Sequence, residues 1–287
     1  MNRFHPNWIT PNWQAPLSVR AVSTTRSGIG SSLAPFHQFN LAEHVGDVPK
    51  TVQAHRAQLP FLNIHWLEQV HSAQAVQLPL KKQRVSSQTQ GALPKADASF
   101  TFEKEVTCVV MTADCLPILL CDRQARWVAA IHAGWRGLAE GIIEQTLEQI
   151  EQAEPRLFQS QNVCAWLGPA IGPEHFEVGG DVVSAFSAYP HAFRQITPHQ
   201  ITSHQITSHQ ITSHKQEPEA SLVESSAAER EIKYLGNLYQ IATEKLQHVG
   251  VKMISGGEYC TYSDPEHFYS YRRDGKTGRM ASLISLF

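Results

Sequence analysis

The tightest constraint on this chain is a set of three short apolar runs between residues 106 and 134: "VTCVVM", "PILLCD" and "WVAAIHAG". Each is bounded by turn residues and is too short for a globular helix, so each reads as a buried strand. The next segment, "LAEGIIEQTLEQIEQA", places Leu138, Ile142, Ile143, Leu147 and Ile150 on one face, the pattern of an amphipathic helix. A buried sheet followed at once by a one-faced helix has to bury that face on the sheet.

The rest of the chain is less regular. "SVRAVSTT" at 18–25 reads as a strand, and Asp47 and Pro49 mark the start of a helix over about 48–58. "WLEQVHSAQAVQL" reads as a strand broken at His71, and the polar stretch from Lys81 to Pro94 as a loop. "VCAWLGPAIG" is a buried strand entering a Gly/Pro turn, "DVVSAFSAY" a short helix, "YLGNLYQIATEKLQHVGV" a longer one, and the terminus an apolar strand. Strands and helices alternate without a regular βαβ cadence, which predicts an α/β fold with mixed sheets and not a doubly wound one. Residues 1–287 are read as one domain, with 195–228 as a low-complexity surface insertion.

That insertion holds His199, His204, His209 and His214, spaced five apart. On a helix, five steps of about 100° leave each histidine roughly 140° from the last. On a strand, an odd spacing alternates faces. Neither arrangement gathers four imidazoles on one ion, so the ligands of any metal are sought elsewhere. Charged residues at 17% and a net charge of −2 exclude a strongly basic nucleic-acid binder and a disordered acidic chain. No run approaches the ~18 apolar residues of a membrane span, and the N-terminal stretch lacks a signal-peptide core. Five cysteines without short spacing suit a reducing compartment, so a cytoplasmic protein is expected.

Three stretches place reactive side chains at the ends of apolar runs: "TADCLPILL" with Cys115, "AAIHAGWRG" with His132 and "EQVHSA" with His71. One thiolate and two imidazoles form a zinc set that leaves a fourth position open. Cys108 and Cys121, in mid-strand, read as small core hydrophobes. Asp114 is a candidate proton shuttle, or else a turn cap. Arg26, Arg136, Arg272, Arg273 and Arg279 lie in glycine-bearing turns and are candidate anion-binding residues, or else solvated ion pairs.

Together "TADCLPILLCD", "AAIHAGWRG", "LGPAIGPEHFEVGGDV" and "YCTYSDPEHFYSYRRDGKTGRMASLI" resemble the laccase-domain family, once called multicopper polyphenol oxidoreductases. The resemblance extends to "TTRSGIGSS" and "NLAEHVGDVP" near the start. It implies a four-layer α/β/β/α sandwich related to a group of cysteine hydrolases. It also implies a metal triad at His71, Cys115 and His132, and purine nucleoside phosphorylase activity. Small-molecule purine nucleosides and phosphate are then the partners, with adenosine deamination by a zinc-activated water as a second reaction. Zinc is the expected metal and copper the alternative.

Multicopper oxidation asks for more than one cysteine and two histidines supply, because a blue copper and a separate oxygen-reducing cluster need many more ligands. A Cys115–His132 amide hydrolase acting on cell-wall precursors is the competing enzyme class. A metal- or partner-binding protein working through its repeat is the non-enzymatic one. Compared with the family, Gly236 and Asn237 stand where an aspartate is usual, and His55 where asparagine is common. Deleting residues 197–214 is expected to leave zinc per chain unchanged by elemental analysis while weakening retention on nickel resin. A loss of bound zinc would move the metal onto the repeat.

Overall fold

Alternation along three neighbouring strands sets the layers. A computed structural model describes residues 4–80, 93–196 and 232–287. Its strands are β1 (Val19–Ser23), β2 (Ile64–His65), β3 (Ala75–Leu78), β4 (Ala98–Thr101), β5 (Thr107–Thr112), β6 (Leu116–Asp122) and β7 (Val128–Ala133). They continue with β8 (Val163–Leu167), β9 (Glu177–Val178), β10 (Phe193–Ile196), β11 (Lys233–Gly236), β12 (Met253–Gly256) and β13 (Met280–Leu286). The α-helices are α1 (Pro49–Arg56), α2 (Trp135–Glu140), α3 (Ile142–Ala153), α4 (Gly180–Ala185), α5 (Leu238–His248) and α6 (Tyr271–Asp274).

Two mixed sheets form the centre, ordered β12-β8-β6-β7-β4-β3 and β1-β13-β5-β2. On β6 and β7, Ile118, Leu120, Ala129 and Ile131 point to one side, into a cluster with Leu138, Ile142, Leu147 and Ile241 of the helices. Their neighbours Leu119, Cys121, Val128 and Ala130 point to the other side and meet Cys108, Val110 and Ile284 of the second sheet. The far face of that second sheet, carrying Val109, Met111 and Leu283, is covered by Trp8, Phe39, Leu41 and Phe61 around the α1 region. The central strands β5, β6, β7 and β8 are buried on both sides because each sheet is sandwiched. The layers are helices α2, α3 and α5, the six-stranded sheet, the four-stranded sheet, and an outer layer of α1 with its loops. A small third sheet, β10-β11-β9, stands apart from these two.

The mixed α/β sandwich agrees with the sequence reading, and Cys108 and Cys121 are fully buried. Several boundaries differ. The amphipathic helix begins before Leu138 and divides at Gly141, whose left-handed φ of 87° ends α2 and starts α3. The segment "YLGN" is the strand β11 and its following cap. Helix α5 starts only after Asn237, whose side chain accepts a hydrogen bond from the Gln240 N–H. Gln195 and Ile196, assigned by sequence to the insertion, belong to β10 and pair with Tyr234 and Lys233. The remaining residues of that insertion, and 81–92 of the polar loop, lie outside the described residues. Strands β4 and β12, too short and too mixed for a periodicity signal, were not expected. Among the described residues no helix is long and apolar enough to cross a membrane.

Leu119 sits between the two sheets with no exposed surface. Leu119→Ala is expected to cost roughly 2–5 kcal/mol, read from the urea midpoint. A loss under about 1 kcal/mol would mean that the sheets do not pack face to face there.

Candidate metal centre and cleft

Strand register brings the dispersed reactive residues together. Antiparallel pairing of β6 with β7 sets Leu116 opposite Ala133 and Pro117 opposite His132. Cys115, one residue before β6, therefore emerges beside the end of β7. Pairing of β4 with β7 sets Ala98 opposite Ile131, so Asp97, just before β4, faces His132. The His132 N–H donates to the Asp97 carbonyl at 2.7 Å. His71 reaches the same place from the bend before β3, with a positive φ of 61°.

The ligand atoms of His71, Cys115 and His132 all lie within 4.8 Å of one another. Cys115 Sγ is 3.8 Å from His71 Nε2, and the two imidazoles meet edge to face at 4.8 Å. Among the described residues this is the one group of three or more histidine, cysteine or carboxylate residues with such an arrangement. Gly134 stands opposite Cys115, and a Cβ there would come within 3.1 Å of both Cys115 Sγ and His71 Cδ2. A side chain at 134 would crowd both groups.

Asp97, fully buried, holds the two histidines in place. Its Oδ1 accepts from the His71 N–H at 2.9 Å and from His132 Nδ1 at 2.8 Å. Its Oδ2 accepts from the Ser72 N–H at 2.7 Å, the Ser72 hydroxyl at 2.8 Å and the Val70 N–H at 3.2 Å. Burial alone would raise this carboxyl, but the His132 contact and the Ser72 donors outweigh it and hold it at about 2. Because Nδ1 of His132 is tied to Asp97, Nε2 is the nitrogen left for a ligand role. Burial pushes His132 down, yet the Cys115 sulfur and Asp97 lift it to about 9. Burial likewise pushes the Cys115 thiol up, and His132 and then His71 bring it down to about 6. Without a metal the three groups form a thiolate–imidazolium pair backed by a carboxylate.

These residues floor a cavity of about 500 Å³. Its walls include the apolar Trp135, Ile171, Phe176 and Leu238 and the polar Gln69, Asp114, Arg272 and Arg279. Gln69 is clamped to the Met111 backbone, donating to its carbonyl at 2.8 Å and accepting from its N–H at 2.7 Å. Asp114 adopts a left-handed φ of 92° beside Cys115. Its Oδ1 accepts from the Thr261 hydroxyl at 2.6 Å and its Oδ2 from the Arg272 N–H at 2.7 Å, so it joins the β5–β6 turn to α6.

The candidate arginines separate. Arg272 lines the cavity, and so does Arg279. Arg26 donates to the carbonyls of His37 and Pro265 and lines a different depression. Arg136 lies over the ring of Trp135 on α2, outside the cavity lining. Arg273 is engaged with Asp274 and with the carbonyls of Thr261, Tyr262 and Phe268. Two departures from the family pattern make structural contacts: Asn237 caps α5, and buried His55 bridges the Asn40 carbonyl and the Ser31 N–H. Asp97, Gly134 and Gln69 were missed in the sequence. The one available signal was an acid directly preceding the short run "ASF", which periodicity does not separate from a loop.

A family described as "Multi-copper polyphenol oxidoreductase laccase" matches residues 20–210 and 196–287. The chain belongs to this family. Among its relatives, "Purine nucleoside phosphorylase" of Haemophilus influenzae is 41% identical over 282 residues, covering 96% of this chain and 98% of that protein. "Purine nucleoside phosphorylase YfiH" of Escherichia coli is 40% identical over 284 residues, covering 97% and 98%. The crystal structure of Neisseria meningitidis protein NMB0706 superposes with a TM-score of 0.76 at 36% identity, covering 98% of this chain and 99% of that one. That of YlmD from Geobacillus stearothermophilus gives 0.74 at 27% identity, covering 99% and 98%. The "multi-copper" of the family description contrasts with the single three-ligand group found among the described residues.

In metal-stripped protein, iodoacetamide labelling of Cys115, followed by peptide mass, should rise with pH through a midpoint near 6, since the thiolate is the reactive form. Asp97→Asn should move that midpoint upward by weakening the His132 charge, and should lower zinc affinity by about 10- to 100-fold. An unchanged midpoint and affinity in the variant would remove Asp97 from this role.

Proposed function

We propose that this chain is a zinc-dependent purine nucleoside enzyme. Its reactions are phosphorolysis of adenosine and inosine, and of methylthioadenosine, to base plus pentose 1-phosphate, and deamination of adenosine to inosine. The observation that carries the reading is the His71–Cys115–His132 group flooring a cavity whose volume lies within the roughly 300–1,000 Å³ of small-ligand pockets. The names of the relatives support the substrate class.

The donor set fits zinc: one sulfur with a lowered pKa, and two imidazoles fixed by a shared carboxylate. Copper also accepts such donors, but one three-ligand group lacks the separate centres of a multicopper oxidase. When bound, zinc supplies Lewis-acid activation of water near neutral pH. The chain's own groups do the rest. Trp135 and Phe176 offer flat apolar walls to a purine, excluding water from its faces. Asp97 keeps His132 in one tautomer. Asp114, beside Cys115, retains lone pairs on both carboxylate oxygens and is the candidate proton relay.

The competing reading, a cysteine hydrolase, is favoured by one observation: Cys115 as thiolate beside cationic His132, itself oriented by Asp97. Metal separates the two readings, since a thiolate bound to zinc is a poor free nucleophile.

Mass-spectrometric analysis of adenosine incubated with zinc-loaded protein tests the proposal. Adenine and ribose 1-phosphate should appear only with phosphate, and inosine without it. Both should fall by more than about 100-fold in Cys115→Ala, exceeding the effect of a supporting partner alone. No turnover of adenosine or inosine by the loaded protein, with amidase activity released by a chelator, would establish the hydrolase instead.

A further inference from the structure

Arg279 is a cation with no direct ion-pair partner among the described residues; Cys115 and Asp114 act on it only from farther off. Its side chain is partly buried and lines the cavity that the metal group floors. Nη1 donates to the carbonyls of Thr277 at 3.0 Å and Gly278 at 2.9 Å. Among the described residues, Nε and Nη2 have no protein acceptor, and no carboxylate stands at ion-pair distance. Neither nitrogen is sealed from the cavity as a buried orphan. A guanidinium partly withdrawn from water and without an ion-pair partner gains from an anion supplied from outside the chain.

The position is built. The Arg279 N–H donates to Asn40 Oδ1 at 2.9 Å. Gly278 lies so close to Tyr269 that a Cβ would stand 2.6 Å from the ring carbon Cζ. The guanidinium lies 5.9 Å from the ring of Tyr271, the residue before Arg272. Arg272 lines the same cavity; its Nη1 donates to the His175 carbonyl at 3.3 Å, and its guanidinium lies 5.9 Å from the centre of the Phe176 ring. Asp114, the one carboxylate among the described lining residues, already accepts from Thr261 and from the Arg272 backbone. The cavity thus presents two forked cations against one carboxylate whose oxygens already accept hydrogen bonds and one sulfur that belongs to the three-ligand group.

We propose that Arg279, with Arg272 on the same cavity, forms the subsite for inorganic phosphate, and that Arg26, Arg136 and Arg273 take no part in it. The assignment rests on the phosphorolytic reading above. In that reaction the C1′–N9 bond breaks with its electron pair going to the base, and a phosphate oxygen forms the new bond to C1′. The proton of hydrogen phosphate ends on the purine, so sugar phosphate and neutral base account for all atoms. A guanidinium holding two phosphate oxygens leaves a third free to attack. Deamination consumes water and has no need of this subsite.

The test is titration of inorganic phosphate into the zinc-loaded full chain by calorimetry, with the phosphate KM measured alongside on adenosine. Arg279→Gln should weaken phosphate by about 10- to 100-fold, as expected for losing charge-assisted hydrogen bonds. Arg279→Lys should recover part of the loss, since it restores charge but not the fork. Arg272→Gln, in a more exposed position, should weaken binding less. A wild type that binds no phosphate, or an Arg279→Gln protein that binds it unchanged, would overturn the assignment. Should Arg279→Gln fail to fold, unchanged phosphate binding in both Arg279→Lys and Arg272→Gln would overturn it equally. Phosphate binding that is lost in the variants, in a protein that turns over no nucleoside, would uphold the subsite and sink the phosphorylase reading. Phosphorolysis with an unaltered phosphate KM in the variants would do the reverse.

Discussion

The site depends on a single buried carboxylate. Asp97 accepts hydrogen bonds from His71, His132, Ser72 and Val70, and the geometry of both imidazoles follows from it. An ionised carboxylate with no exposed surface is tolerable only where donors surround it, so the 70–72 bend and the end of β7 are fixed jointly. One residue serves at once as a backbone-turn organiser and as the support of the candidate metal group. Its removal would leave His71 on an unrestrained bend and His132 free to change tautomer.

The sandwich explains why reactive groups can stand so near a hydrophobic core without disrupting it. Every polar residue of the triad lies at a strand end or in a turn, where β4, β6 and β7 open into one cavity. The interiors of β6 and β7 contribute apolar contacts to the two faces of the six-stranded sheet, and Ser99 of β4 is a buried polar exception. Stability and chemistry are therefore separated along each strand: the middle packs and the end works. The arginines follow a similar division. Arg273 saturates its donors on its own turn, whereas Arg279 keeps part of its fork toward the cavity.

Much of this could be read from residue order. The apolar runs 106–111, 117–122 and 127–134 became β5, β6 and β7, and the amphipathic stretch after them covers the sheet as expected. His71, Cys115 and His132 were legible because reactive types at the ends of apolar runs, in wording that resembles a known family, are uncommon. Asp97 was not legible: an acid before a four-residue strand looks like any loop acid until its donors are known. Gly134 was hidden likewise, since nothing local reveals that a Cβ would press on a cysteine and a histidine. The helix boundary at Asn237 was misplaced because Tyr234 and Leu235 fit a helical face as readily as a strand.

Local chemistry by itself determined the central strands, the amphipathic helix and the reactive residue types, because periodicity and spacing are properties of neighbours along the chain. Only the tertiary structure decided which carboxylate supports the histidines, which arginines face the cavity and which are locked into turns. Those outcomes depend on strand register and on buried hydrogen bonds between residues far apart in sequence. A buried charge takes its partner from whatever the fold brings near it, and that partner is written in no single stretch of the chain.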